Sequence, residues 1–236
     1  MAYHHDNYLI VRVDNQSNVN IIDNNSCISN ISLSTLSSSS TSLDQKNPES
    51  TDSSSELIEA IRQELKSWID TLGVQSAEAQ NLKEPITCHT RFIQGSFRQN
   101  SPFKHKDFIY FLVQYNSNSN QLKNDSLNTH SNQQTLQLTA NGLIRVGFRN
   151  LFLQRGEKLV NVERCFSVLD FFVTRQRQGW GKLLIDAVLR DQSITINNCA
   201  FDRPTPVMLS FLGKHFNLAT PRKQHNRFVI YDGFFA

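Results

Sequence analysis

Apolar residues recur along the 236-residue chain with two distinct periods. Leu57, Ile61, Leu65, Trp68 and Leu72 repeat at helical spacing and predict an amphipathic helix, capped by Ser54 or Ser55 and ended by Gly73. A shorter helix is predicted over 76–82, stopped ahead of Pro85. Near-continuous apolar runs at 8–13, 108–115, 142–148, 151–153 and 162–173 read as strands. After the last of these, Leu183, Leu184, Ala187 and Val188 form the inner face of a helix from Gly179 to about Leu189. A short strand at 199–201, a helix at 205–215 and a final strand at 228–231 complete the pattern. The expected class is α/β (α+β), a central mixed twisted sheet flanked by helices.

Polar tracts divide the chain. Residues 13–55, with the run Ser37, Ser38, Ser39 and Ser40, and residues 116–135 are dominated by Ser, Asn, Gln and Asp. Such segments bury too little apolar surface to order themselves, so disorder is expected in both. They account for the mean hydropathy of −0.41. Residues 1–55 are therefore expected to be a mostly low-complexity segment with one short strand, and 56–236 a folded domain interrupted at 116–135. Most of the 16 Phe fall in that domain, enough for a sizeable core.

A net charge of +3 fits an acidic ligand or an acidic protein surface, and no nucleic-acid-binding motif accompanies it. Arg222, Lys223, His225 and Arg227 form a basic cluster that could meet such a surface or form a solvated turn. Cys27, Cys88, Cys165 and Cys199 form no CxxC pair, which reads as unpaired thiols in a reducing compartment. No 18-residue apolar stretch or leader is apparent, so a soluble cytoplasmic or nuclear chain with no membrane contact is expected. The histidines show no metal-ligand spacing, and no metal is expected.

The candidate chemistry lies where the long strand hands over to a helix. FFVTRQRQGWGK, at 171–182, ends an apolar run in a basic turn with two glycines one residue apart. Backbone N–H groups and the positive end of a helix dipole would converge there, which suits a pyrophosphate; the same glycines also serve as ordinary turn residues. Asp202 follows the next strand, at the edge where α/β sheets place ligands. An Asp before x-Pro is also a common helix N-cap.

The glycine turn resembles the acetyl-CoA site of GNAT acetyltransferases, and longer segments resemble the α-tubulin N-acetyltransferase family. These are LGVQSAEAQNLKEPIT (72–87), GLIRVGFRNLF (142–152), VLDFFV (168–173), FDRPT (201–205), FLGKHFNL (211–218) and NRFVIYDGFF (226–235). The resemblance implies a GNAT-like acyl-CoA acyltransferase fold, with 56–236 as an N-acetyltransferase catalytic domain. The implied reaction moves acetyl from acetyl-CoA to the luminal-loop lysine of α-tubulin in microtubules. It further implies a monomer in the cytoplasm, on the microtubule cytoskeleton, including that of a cilium or axoneme.

Carried over residue by residue, the catalytic positions are Asp202, Asp170 and Ser167, with Gln80 near them. The implied cofactor residues are Phe171, Phe172, Val173, Thr174, Arg175, Gln176, Arg177, Gln178, Gly179, Trp180, Gly181 and Lys182. A second set is Thr205, Pro206, Val207, Met208, Leu209, Ser210, Phe211, Leu212, Gly213 and Lys214. Ser167 stands where the family carries a catalytic cysteine, and the loop before the glycines is two residues shorter. A regular strand would send Ser167 and Asp170 to opposite faces, so a bulge is needed to bring both to one site. These departures keep a second reading open, a weak or inactive paralogue that binds microtubules.

Overall fold

The computed structural model describes residues 8–22, 53–94, 106–119 and 134–236. Cys27, the serine run at 37–40 and the middle of the expected insertion, 120–133, lie outside the described residues. The chain order is β1 (Tyr8–Asp14), β2 (Val19–Ile22), α1 (Ser53–Ala79), α2 (His89–Gln94), β3 (Asp107–Ser119), β4 (Gln134–Arg155) and β5 (Lys158–Val173). Then come α3 (Trp180–Gln192), a short 3₁₀ turn (Ile196–Asn198), β6 (Ala200–Asp202), α4 (Pro206–Phe216), β7 (Pro221–Lys223) and β8 (Phe228–Tyr231).

All eight strands form one sheet in the order β2-β1-β3-β4-β5-β6-β8-β7. Every neighbouring pair is antiparallel except β5 and β6. On one face, Leu57, Ile61, Leu65, Trp68 and Leu72 of α1 pack on Val11, Ile109, Phe111 and Leu143, and the Trp68 and Phe111 rings lie 5.8 Å apart. On the other, Leu184, Ile185 and Val188 of α3 and Leu212 of α4 cover Ile10, Tyr110, Ile144 and Phe201. The helical stripe and the alternating strand positions meet as their periods require.

The structure departs from the sequence reading at several elements. β1 and β2 form a hairpin continuous with β3, so the boundary drawn at residue 56 cuts through one sheet, and Val19 is buried inside the supposed low-complexity tract. The β3–β4 ladder runs out to the pair Ser119 and Gln134, taking both ends of the expected insertion into strand. β4 is unbroken where two apolar runs were read. Arg149, which fell between the two runs, and Arg145 within the first both bind Asp107, at 2.7 Å each. A buried carboxylate needs such partners, and here they come from the same face of the sheet.

The largest change is in α1. Gly73 does not end it, and the helix runs on through the predicted second one to Ala79. A Cβ at Gly73 would lie 2.0 Å from the Thr87 carbonyl oxygen, so the glycine admits the 85–88 segment against the helix. The true terminus is a Schellman turn at Asn81, which adopts φ 55. The Leu82 N–H bonds the Ala77 carbonyl and the Asn81 N–H that of Glu78. Gln80 is thereby held at the C-cap.

Candidate active site

β5 and β6 share two registered pairs, Ser167 with Ala200 and Val168 with Phe201. β5 then bulges, for Val146 pairs with Val168 and Arg145 with Asp170, leaving Leu169 as the extra residue. The two strands part beyond that point, and an open cleft of about 370 Å³ forms between them. Gln80, Val168, Leu169, Asp170, Phe171, Phe201, Asp202, Arg203, Pro204, Thr205 and Met208 line it.

The cleft passes through the sheet. Phe166, Val168, Phe171 and Val173 join the core beneath α3 and α4, whereas Phe172 joins the core beneath α1. The bulge therefore turns Asp170 to the α1 side, the side of Ser167, as the residue spacing required. Asp202 alternates with Phe201, whose ring lies on the α3 side, and so also faces α1. Gln80, Asp170 and Asp202 meet on one side of the sheet; Phe171, Thr205 and Met208 line the other.

The α4 N-cap is Thr205, whose Oγ1 accepts the Met208 N–H at 3.2 Å, with Pro206 as the first helical residue. Asp202 is thus released from the capping role open to it in the sequence. Its carboxylate, with the side chain 19% exposed, accepts Nε and a terminal nitrogen of Arg203 at 3.1 and 3.2 Å. Arg203 is itself held with φ 45, its N–H bonded to the Arg227 carbonyl. The Arg203 side chain is 46% exposed, so this pair binds weakly.

Asp170 is 5% exposed and carries four hydrogen bonds. Oδ1 accepts from Ser76 Oγ at 2.7 Å, Gln80 Nε2 at 3.1 Å and the Phe171 N–H at 2.9 Å; Oδ2 accepts from Thr87 Oγ1 at 2.6 Å.

Ser167 has no exposed surface and does not line the cleft; its Oγ donates to the Cys165 carbonyl at 3.1 Å. The expected catalytic place for Ser167 is not one that a ligand in the cleft touches. Cys165 offers no substitute, because burial pushes its thiol up to about 11. The thiol stays protonated, and the residue packs with Leu151, Leu153, Ala200 and Ile230.

On the cofactor side, Thr174 ends β5 by bonding the Asn141 carbonyl through both its N–H and Oγ1. Gly179 precedes α3 with φ 81 and supplies no side-chain cap, so an outside acceptor can meet the first turn's N–H groups. Arg175 and Arg177 are exposed beside it, and the Arg175 guanidinium lies 5.8 Å from the Trp180 ring. Gly181 is enclosed by aromatic rings. A Cβ there would meet Phe171 at 3.0 Å and Phe211 at 3.4 Å, so the glycine makes room for both aromatic rings. Lys182 is held by Asp186 at 2.5 Å.

Along α4, Pro206, Val207, Ser210 and Lys214 are exposed, Val207 at 68%. Leu212 is fully enclosed in the core, where its side chain meets no ligand. Ser76, Thr87 and Arg203 belong to the site but were not singled out from sequence. A continuous helix would have placed Ser76 one turn below Gln80; Thr87 carries no local signal.

Among the described residues the sheet thus opens at its parallel pair, β5 and β6, with an uncapped helix after the long strand and carboxylates across the gap. The chain belongs to the family described as GNAT acetyltransferase, Mec-17, whose model matches residues 25–236. It is 35% identical over 170 residues to alpha-tubulin N-acetyltransferase 1 of Drosophila melanogaster, covering 71% of this chain and 31% of that protein. To alpha-tubulin N-acetyltransferase 1 of Danio rerio it is 34% identical over 171 residues, 71% of this chain and 48% of the other. To alpha-tubulin N-acetyltransferase of Tetrahymena thermophila it is 30% identical over 175 residues, 73% and 36%. The matched region spans between 31% and 48% of the length of these curated relatives.

Proposed function

We propose that this chain transfers an acetyl group from acetyl-CoA to the luminal-loop lysine of α-tubulin, acting as a monomer on cytoplasmic microtubules. The observation that carries this reading is the through-sheet cleft. It sets Asp202 and Gln80 on one side and Phe171 with the α4 N-terminal end, Thr205 and Met208, on the other, so two substrates can meet within it. The relatives are named α-tubulin N-acetyltransferases, which supports α-tubulin as the substrate.

A lysine amine attacks only when neutral, and stripping its proton at pH 7 costs about 4.6 kcal/mol, from ~3.4 pKa units below its usual 10.4. Two features of the site offset this. The apolar walls Val168, Leu169, Phe201 and Met208 disfavour the ammonium form. Asp202 accepts the proton on a carboxylate oxygen; each oxygen accepts one bond from Arg203 and retains a second lone pair.

When bound, acetyl-CoA supplies the acetyl group as a thioester. The α3 first turn with Arg175 and Arg177 would hold its pyrophosphate, and Val207, Ser210 and Lys214 of α4 would flank it. The fit rests on the uncapped αL turn at Gly179 and on the exposed Val207 in the first turn of α4. The competing reading, a microtubule binder without activity, finds no feature in its favour among the described residues. Recombinant protein incubated with polymerised tubulin and acetyl-CoA should leave an acetyl group on one α-tubulin lysine, read by mass spectrometry of tubulin peptides. Failure to modify any tubulin lysine above a no-enzyme control overturns the proposal.

A further inference from the structure

Asp170 is commonly the kind of residue assigned to proton transfer, being a carboxylate in a catalytic cleft. Its hydrogen bonding points elsewhere. A carboxylate offers about four lone-pair directions, two on each oxygen; Ser76 Oγ, Gln80 Nε2 and the Phe171 N–H crowd onto Oδ1, and Thr87 Oγ1 takes one direction on Oδ2. Ser76 and Thr87 are 1% and 0% exposed, so both hydroxyls are committed to this array.

The consequence falls on Gln80. Its Nε2 faces the pair formed by Asp170 Oδ1 and Ser76 Oγ, donating to them at 3.1 and 2.9 Å. Turning the amide over would set its oxygen against an ionised oxygen and forfeit both bonds. The amide oxygen of Gln80 is therefore fixed away from Asp170, on a residue that lines the cleft. The Schellman turn at Asn81 fixes the backbone of Gln80, and Gly73 lets Thr87 close on the helix. Arg145 adds a bond to the Ile86 carbonyl at 3.3 Å, next to Thr87.

We propose that Ser76 and Thr87 are positioning residues that act through Asp170 to lock the Gln80 amide, so that its oxygen accepts a hydrogen bond from the substrate amine. Asp170 is then an acceptor hub, and Asp202, with a second lone pair on each oxygen, takes the proton. The proposal rests on the acetyltransferase reading for its substrate, but the lock itself is a property of the free protein.

The test has two arms. In steady-state acetylation of polymerised tubulin, Ser76→Ala and Thr87→Val are expected to lower kcat roughly tenfold to a hundredfold, the range that misplacement near the chemistry produces. KM for acetyl-CoA is expected to stay unchanged, and Thr87→Ser, which keeps the hydroxyl, to recover most of what Thr87→Val loses. The second arm needs no activity. The Gln80 side-chain amide signals of the free protein, assigned by their absence in Gln80→Ala, should exchange slowly with solvent and lose that protection in Ser76→Ala.

Fully active Ser76→Ala and Thr87→Val, or Gln80 signals that exchange freely in the unsubstituted protein, would overturn the proposal. If Thr87→Val fails to fold, Ser76→Ala decides. A protected amide in a protein that modifies no tubulin keeps the lock and removes only the substrate reading.

Discussion

Ser167 occupies the position where a catalytic cysteine is expected, yet its hydroxyl is spent on the Cys165 carbonyl and it has no surface in the cleft. Restoring the thiol should therefore matter little. Ser167→Cys is expected to change kcat for tubulin acetylation by under about threefold, or ~0.6 kcal/mol. A gain of tenfold or more would show that a thiol at this position reaches the chemistry. Asp202 and Asp170 were both legible in the sequence, Asp202 only as one of two alternatives. The structure separates them by showing that Thr205 caps α4. Ser76 and Thr87 were illegible because their role arises from a contact between segments, which no local pattern encodes.

At the scale of elements, α1 shows where local propensity misleads. The stripe from Leu57 to Leu72 was read correctly, and the glycine after it was read as a stop, its usual meaning. Tertiary contact reverses that meaning, since Gly73 is where the 85–88 segment touches the helix. Gly73→Ala would press a methyl group into the Thr87 carbonyl, and backbone cannot yield as a flexible side chain can. The expected cost is ~1–3 kcal/mol, the usual range for overpacking. Denaturant unfolding should show it, together with a fall in kcat as Thr87 leaves Asp170. Full stability and activity would mean that the close approach is dispensable. The Leu169 bulge was legible in another way. Ser167 and Asp170 lie three residues apart, so both could face α1 only if the strand gained a residue between them, and it does.

At the scale of the molecule, the N-terminal hairpin was the least legible part, because the polar residues around Val19 masked a strand that pairs with β1 and joins the core beneath α1. A polar cluster ties that edge to α3. Arg12 binds both oxygens of Asp191 at 2.8 and 2.9 Å, Tyr110 donates its hydroxyl to the same carboxylate, and Gln192 donates to both Tyr110 and Asp191. Burial alone would raise the Asp191 carboxyl, but the bonds from Tyr110, Gln192 and Arg12 outweigh it and hold it below its ordinary 3.8. Asp107, buried between Arg149 and Arg145, is held below 3.8 in the same way against its own desolvation.

A carboxyl depressed by folding contributes stability that is complete above its unfolded value and is lost as pH falls through the folded one. Unfolding free energy should therefore fall below about pH 3.8, the unfolded value for these groups. Asp191→Asn should shallow that fall and cost roughly 1–3 kcal/mol at pH 7, the range for a disrupted buried hydrogen-bonded group. Equal acid sensitivity in the variant would remove Asp191 from the account.

These scales converge on the cleft between β5 and β6, where the account gives one carboxylate the proton. Single-turnover acetylation of polymerised tubulin by Asp202→Asn, beside the unsubstituted protein, tests that most directly. The expected result is a loss of about a hundredfold or more, within the ~10²–10⁴ range of general base catalysis, with acetyl-CoA affinity and thermal unfolding unchanged. A variant that transfers acetyl at nearly the original rate would contradict it.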